Sequence, residues 1–121
     1  MSDSKKLGKQ GEDLASSFLA KKGYKIVARN QKMGANEIDI IAENENVIVF
    51  VEVKTRSDNY LEHPCTAVSA SKQKAIIKTA DRYIRINDID KESRFDIITI
   101  IKNNDNFEIT HIENAFYPTL R

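Results

Sequence analysis

The sequence predicts an α/β domain, a mixed β-sheet flanked by helices in the order αβββαββ. Two segments carry apolar residues at helical spacing, "GKQGEDLASSFLAKKGY" and "SASKQKAIIKTADRYIR". The remaining apolar runs are short, rich in isoleucine, valine and phenylalanine, and bounded by Asn, Asp or Gly. Helices separated by such runs imply one sheet with helices packed on it.

The first helix is expected from about Lys5 to Lys22, stopped by Gly23. Its apolar stripe is Leu7, Leu14, Ala15, Phe18 and Leu19. At about 100° per residue, Glu12 falls on the shoulder of that stripe and Asp13 points away from it. "YKIVARNQ" follows as a strand with Tyr24, Ile26 and Ala28 on one face. "ANEIDIIAE" and "NVIVFVEVKT" form two more, with a turn at Asn44 and Glu45. A loop from Ser57 to about Thr66 holds His63, Pro64 and Cys65. The second helix is expected to be capped by Ser71, with Ala75, Ile76, Thr79, Ala80, Tyr83 and Ile84 facing inward. "RFDIITII" and "FEITHIE" complete the sheet across the turn-rich "KNNDN".

With 121 residues, 40% hydrophobic and 31% charged, the chain suits a single domain over 1–121 with a core of its own. No apolar segment has the length of a membrane span or a signal-peptide core. A lone cysteine, Cys65, excludes an internal disulfide and fits a reducing cytoplasm. The net charge of +1 excludes a strongly basic nucleic-acid coat, but it hides a pattern. Residues 1–35 carry +5, 36–53 carry −5, 54–85 carry +4 and 86–121 carry −3. An acidic strand pair thus lies between two basic segments. Ordinary solvated charge explains this, and so does an anionic polymer drawn to the flanks with a cation held between them.

The acidic pair is the unusual feature. Glu37, Asp39, Glu52 and Lys54 interrupt two otherwise apolar strands. Side chains alternate along a strand, so Glu52 and Lys54 share a face with Ile48 and Phe50. A tight turn at Asn44 and Glu45 sets Glu43 opposite Asn46, Glu37 opposite Glu52, and Asp39 diagonal to Glu52. A two-residue slip sets Asp39 directly opposite Glu52, and a one-residue slip separates them. Like charges across a strand pair repel, so something must neutralise them. A structural ion-pair patch is one solution. The other is a hard divalent ion, Mg²⁺ or Mn²⁺, on Glu12, Asp39 and Glu52, with Lys54 left to hold a water or stabilise phosphate charge.

"EIDIIA…VFVEVKTR", with "GKQGE" before it and "RFDIITI" and "HIENAF" after it, resembles the YraN-like family of small bacterial, nuclease-like proteins. The likeness runs from Gly8 to Phe116. That family is similar in turn to archaeal Holliday-junction resolvases and the PD-(D/E)xK restriction-endonuclease-like superfamily. The resemblance implies a restriction-endonuclease-like mixed sheet. It makes Asp39, Glu52 and Lys54 catalytic and Glu12 a further acidic ligand from the first helix. Ile38 stands where many members have proline, and "GANEID" replaces a tighter "GGEID"-like run. Glu37 is a secondary candidate, for metal or for pairing with Arg56 or Lys54.

The implied chemistry is metal-assisted hydrolysis of DNA phosphodiesters, with branched or structured DNA preferred to RNA as partner. Arg56, Lys72, Lys74 and Lys78 are candidate backbone contacts. Two cuts in a four-way junction call for a homodimer. A nuclease fold that binds nucleic acid or protein with little or no activity is the alternative. His63 and His111 lack zinc spacing and read as loop and as packed or surface residues. Asp96 reads as an ion pair with Arg94 or a cap. Tyr60, Tyr83, Phe107, Phe116 and Tyr117 are not spaced as a stacking platform.

Overall fold

The computed structural model describes residues 3–57 and 68–118, so Tyr60, His63, Pro64 and Cys65 lie outside the described residues. Its elements are α1 (Asp3–Lys21), β1 (Lys25–Met33), β2 (Asn36–Glu43), β3 (Val47–Ser57), α2 (Ala70–Ile86), β4 (Glu92–Asn103) and β5 (Asn106–Phe116). The predicted order αβββαββ is the observed one. The five strands lie side by side in chain order, with β3 and β4 parallel and every other pair antiparallel. The parallel step needs a crossover, and α2 supplies it.

One helix covers each face of the sheet. α1 packs Ala15 and Leu19 on Ile40, Ala42, Val49, Val51, Val53, Ile98 and Ile100. On the other face, α2 packs Ile76, Ala80 and Tyr83 on Ile38, Ile41, Ile48, Phe50, Phe95 and Ile97. The central strand β3 is therefore apolar on both faces, which is why its run from Ile48 to Val51 shows no alternation.

The helix ends follow from local chemistry. Gly23, at φ +101, closes α1 as its amide reaches Ala20 O and the Tyr24 amide reaches Leu19 O. For α2 the expected cap was Ser71, but the cap is Ser69. Ser69 is extended and its hydroxyl accepts the Lys72 amide at 3.2 Å. Ser71 already lies within the first helical turn, too late to serve the orphan amides ahead of it. The expected face of β1 also changes part-way. Ile26 pairs with Ala42 but Ala28 with Ile41, leaving Val27 as an extra bulged residue. Tyr24 and Ile26 consequently pack under α1, whereas Ala28 packs under α2.

α1 approaches β3 closely at Gly11. A β-carbon on Gly11 would overlap the Thr55 hydroxyl and stand 2.9 Å from Thr55 Cβ. The contact places the next residue, Glu12, near the C-terminal half of β3. Gly11→Ala is expected to destabilise by about 1–3 kcal/mol through overpacking, outweighing the helix propensity of alanine, worth about 1 kcal/mol. Adding Thr55→Ala removes the struck hydroxyl and should recover part of the loss. Urea melts of both single variants and the double test this, and strict additivity would rule the contact out.

Candidate active site

The β2–β3 turn sits one residue later than the sequence suggests. Asn44 Oδ1 accepts the amides of Asn46 and Val47 at 2.8 and 2.9 Å, and the Asn44 amide reaches Val47 O at 3.0 Å. This side-chain-closed turn makes Glu45 and Asn46 the central residues. Glu43 therefore faces Ile48, not Asn46, and the register is the two-residue slip. The ladder ends at Ile40 opposite Val51, which leaves Asp39 level with Glu52. There the Asp39 side chain takes over from the backbone, its Oδ2 accepting the Val53 amide at 2.9 Å. On the other flank Asn30, at φ +52, lies level with Asp39 between the Arg29–Ile40 and Gln31–Ile38 pairs. Both neighbours of β2 are irregular at this one position.

Glu52 is only 5% exposed. Its Oε1 has no hydrogen-bond partner among the described residues, and Oε2 is 3.9 Å from Lys54 Nζ. The Glu52 and Asp39 carboxyls hydrogen-bond to each other. Burial first, and the charge on Asp39 second, push the Glu52 carboxyl up to about 8, while Lys72 and Lys54 oppose the rise. Burial also raises Asp39 from its ordinary value, against the Val53 amide and the bond from Glu52. The pair thus holds one proton between two carboxyls at neutral pH, as close like charges do.

Glu12, half-buried on α1, is raised by burial and then by Asp39, and its carboxylate bonds Asn30. Arg29 is 3.8 Å from Glu12 and 2.8 Å from the exposed Asp13. Glu12 faces Asp39, but it does not close a cage with the pair: among the described residues no three His, Cys, Asp or Glu side chains are grouped to hold an ion. Glu37 adds negative charge to both Glu12 and Asp39. Arg56 follows Lys54 on the same face of β3 and donates to Thr55 O at 3.0 Å. The three candidate lysines of α2 divide. Lys72 acts on Glu52. Lys74 and Lys78 line a separate groove on another face of the helix.

A second polar cluster lies under the C-terminal end of α1. Asp96, fully buried, accepts Arg94 at 2.9 and 2.8 Å, His111 Nε2 at 2.7 Å and the Asn114 amide at 3.0 Å. The Arg94 pairing is as expected, and His111 is a packed residue. Lys22 Nζ stands 2.9 Å from His111 Nδ1. An ammonium only donates, so Nδ1 accepts and the imidazole carries its proton on Nε2. The signal for this cluster was present in the sequence: Asp96 alternates with Ile98 and Ile100, and His111 with Phe107 and Ile109.

The two buried carboxyls predict opposite pH behaviour. Burial raises the Asp96 carboxyl, but His111, Arg94 and the Asn114 amide outweigh it and hold it below its ordinary value. Its contribution is therefore present above the unfolded value and lost as acid protonates the folded one. Glu52 is raised, so its contribution is complete below about 4.5 and lost as pH climbs through about 8. With chelator present at pH 9, Glu52→Gln is expected to stabilise the protein by roughly 1–3 kcal/mol and to flatten the alkaline side of the stability profile. Asp96→Ala is expected to destabilise by about 3–5 kcal/mol at pH 7, because it removes the shared acceptor of Arg94, the buried His111 and the Asn114 amide. Denaturant melts across pH test both, and a less stable Glu52→Gln protein at pH 9 would contradict the first.

Comparison with known proteins places the chain among relatives of the same size. Residues 11–100 match the model of the "Uncharacterised protein family UPF0102". A UPF0102 protein of Bacteroides thetaiotaomicron is 47% identical over 120 residues, 99% of each chain. One from Flavobacterium psychrophilum is 46% identical over 117 residues, covering 97% of this chain and 98% of its own. Another, from Chloroherpeton thalassium, is 50% identical over 95 residues, 78% and 74% of the two chains. With the family model spanning residues from α1 to β4 and full-length relatives at this identity, the chain belongs to the UPF0102, or YraN-like, family.

Proposed function

We propose that this protein is a metal-dependent endonuclease that hydrolyses DNA phosphodiesters, with branched or structured DNA as its substrate. The observation that carries the reading is the buried Asp39–Glu52 pair beside Lys54, with Glu52 Oε1 left without a partner among the described residues. A buried acceptor with nothing to accept from is costly. Two adjacent carboxylates without histidine or thiolate are a donor set for a hard divalent ion such as Mg²⁺ or Mn²⁺. Asp39 and Glu52 would hold it. A bound ion supplies Lewis acidity at a phosphoryl oxygen and lowers the pKa of water.

The chain's own groups do the rest. Asp39 keeps its orientation through the Val53 amide. The Lys54 ammonium, 3.9 Å from Glu52, orients a water and balances charge that builds on the phosphate. Glu12 accepts a proton or a water hydrogen from the α1 side, its carboxyl raised above its ordinary value by burial and by Asp39. Lys72 and Arg56 flank the carboxylates and position the phosphate backbone. Asp39 and Glu52 would hold the ion as carboxylates, after losing the proton they share, so affinity for it would rise with pH up to about 8. A homodimer would offer paired sites to the two strands of a four-way junction.

The test is cleavage of end-labelled single strand, duplex, flap, four-way junction and structured RNA in Mg²⁺ or Mn²⁺. Wild type is expected to cut DNA, a junction or flap best. Glu52→Gln and Lys54→Met are expected to lose at least about 100-fold, the scale of one acid–base or charge-stabilising group. Millimolar Mg²⁺ should raise the melting temperature of wild type but not of Glu52→Gln. Cutting that survives both substitutions, or no cutting of any substrate, would sink the reading.

A further inference from the structure

On the flank of α2 turned away from Glu52, a groove of about 700 Å³ runs between the helix and the ends of β4 and β5. Its apolar wall is Ile77, Ile84 and Phe95, closed on one side by Tyr117. Lys74 and Lys78 stand at its rim. Tyr117 is 65% exposed, although its neighbour Phe116 is stacked into the core on Phe95. The one acid among the described lining residues, Asp81, is tied to Arg85 by an ion pair one helical turn away. The groove is therefore apolar within and cationic at the lip.

We propose that this groove binds an unpaired stretch of polynucleotide, a base stacked against Tyr117 and its phosphates on Lys74 and Lys78. The two lysines, one turn apart, are separated by about 6 Å along the helix axis, comparable to successive phosphates on an extended strand. An exposed aromatic ring beside paired cations is the arrangement by which single strands are held without sequence preference. The size lies within the range of small-ligand pockets, about 300–1,000 Å³. Lys72 at the N-terminal end of the same helix faces Glu52. A strand leaving the carboxylates therefore crosses the first turn of α2 to enter the groove. The proposal deepens the nucleic-acid reading above: it assigns substrates that contain an unpaired arm beside the scissile bond.

Binding can be tested apart from cleavage. A fluorescein-labelled 12-mer of thymidylate is titrated by anisotropy against the full chain in chelator, with the melting temperature of each variant as the folding control. Tyr117→Ala is expected to weaken binding about tenfold, the size of one lost base stack. Lys74→Gln with Lys78→Gln is expected to lower the salt slope of log affinity by about 1.4. The chain has no tryptophan and four tyrosines, so quenching of tyrosine emission that disappears in Tyr117→Phe would report the contact directly. Unchanged affinity in both groove variants overturns the proposal whether or not the protein cuts DNA. Tyr117-dependent binding by a protein that cuts nothing would leave the groove assigned and remove only the nuclease reading. Groove variants that change sedimentation and not oligonucleotide binding would give this face to a second copy of the chain, and overturn the proposal.

Discussion

The geometry of the carboxylates depends on one hydrogen bond that is not part of a backbone ladder. Where β2 and β3 stop pairing, the Val53 amide would be left without an acceptor, and Asp39 Oδ2 takes it at 2.9 Å. That single bond fixes the rotamer of Asp39, holds its carboxyl level with Glu52, and keeps the parted strands from collapsing onto each other. An unsatisfied buried amide costs as much as a lost hydrogen bond, so the opening is stable only while Asp39 occupies it. Asn30, with its left-handed backbone, lies on the opposite flank of Asp39, and β1 keeps its register with β2 on either side of it.

Two buried carboxyls in one small sheet show how differently burial can be answered. Asp96 is surrounded by donors from its own strand and from β5 and is ionised because of them. Glu52 has a competing carboxyl, an ammonium at 3.9 Å and an oxygen with no partner among the described residues. The first arrangement is complete and fixes the end of the sheet under α1. The second is incomplete among the described residues, and that difference is what the proposed metal site is argued from. Charge count alone does not separate the two, since both are acids on β-strands. The donors around them do.

How much of this could be read in advance depended on the range over which each feature is decided. The helix stop at Gly23, the element order αβββαββ and the placing of Asp39 and Glu52 on adjacent strands are set by local chemistry and short connections, and all were legible. The register was not, because it turned on whether Asn44 would fold its side chain over the next two amides. The face of Ala28 was lost for a similar reason: a bulge at Val27 resets alternation and carries no composition signal of its own. The pairing of Asp96 with His111 joins residues from two strands whose register is fixed only in the assembled sheet. Lys74 and Lys78 had been grouped with Lys72 because spacing along a chain does not state which flank of a helix the sheet will cover.

The close fit of Gly11 on Thr55, together with the tie of Lys22 to His111, also sets an order of assembly. α1 precedes the whole sheet in the chain, yet the residues that hold its middle and its C-terminal end come from β3 and β5. Pairing β3 with β4 in parallel must wait for the whole of α2, and such non-local pairing is slow. Until the sheet closes, Glu12 is far from Asp39, and the β2–β3 hairpin alone is at best marginally stable in water. The acidic side chains therefore remain hydrated and apart in the nascent chain, and their mutual repulsion is felt only by the finished fold. Any cation drawn to them binds that state alone and acts as a ligand of the native protein, with no part in guiding the chain toward it.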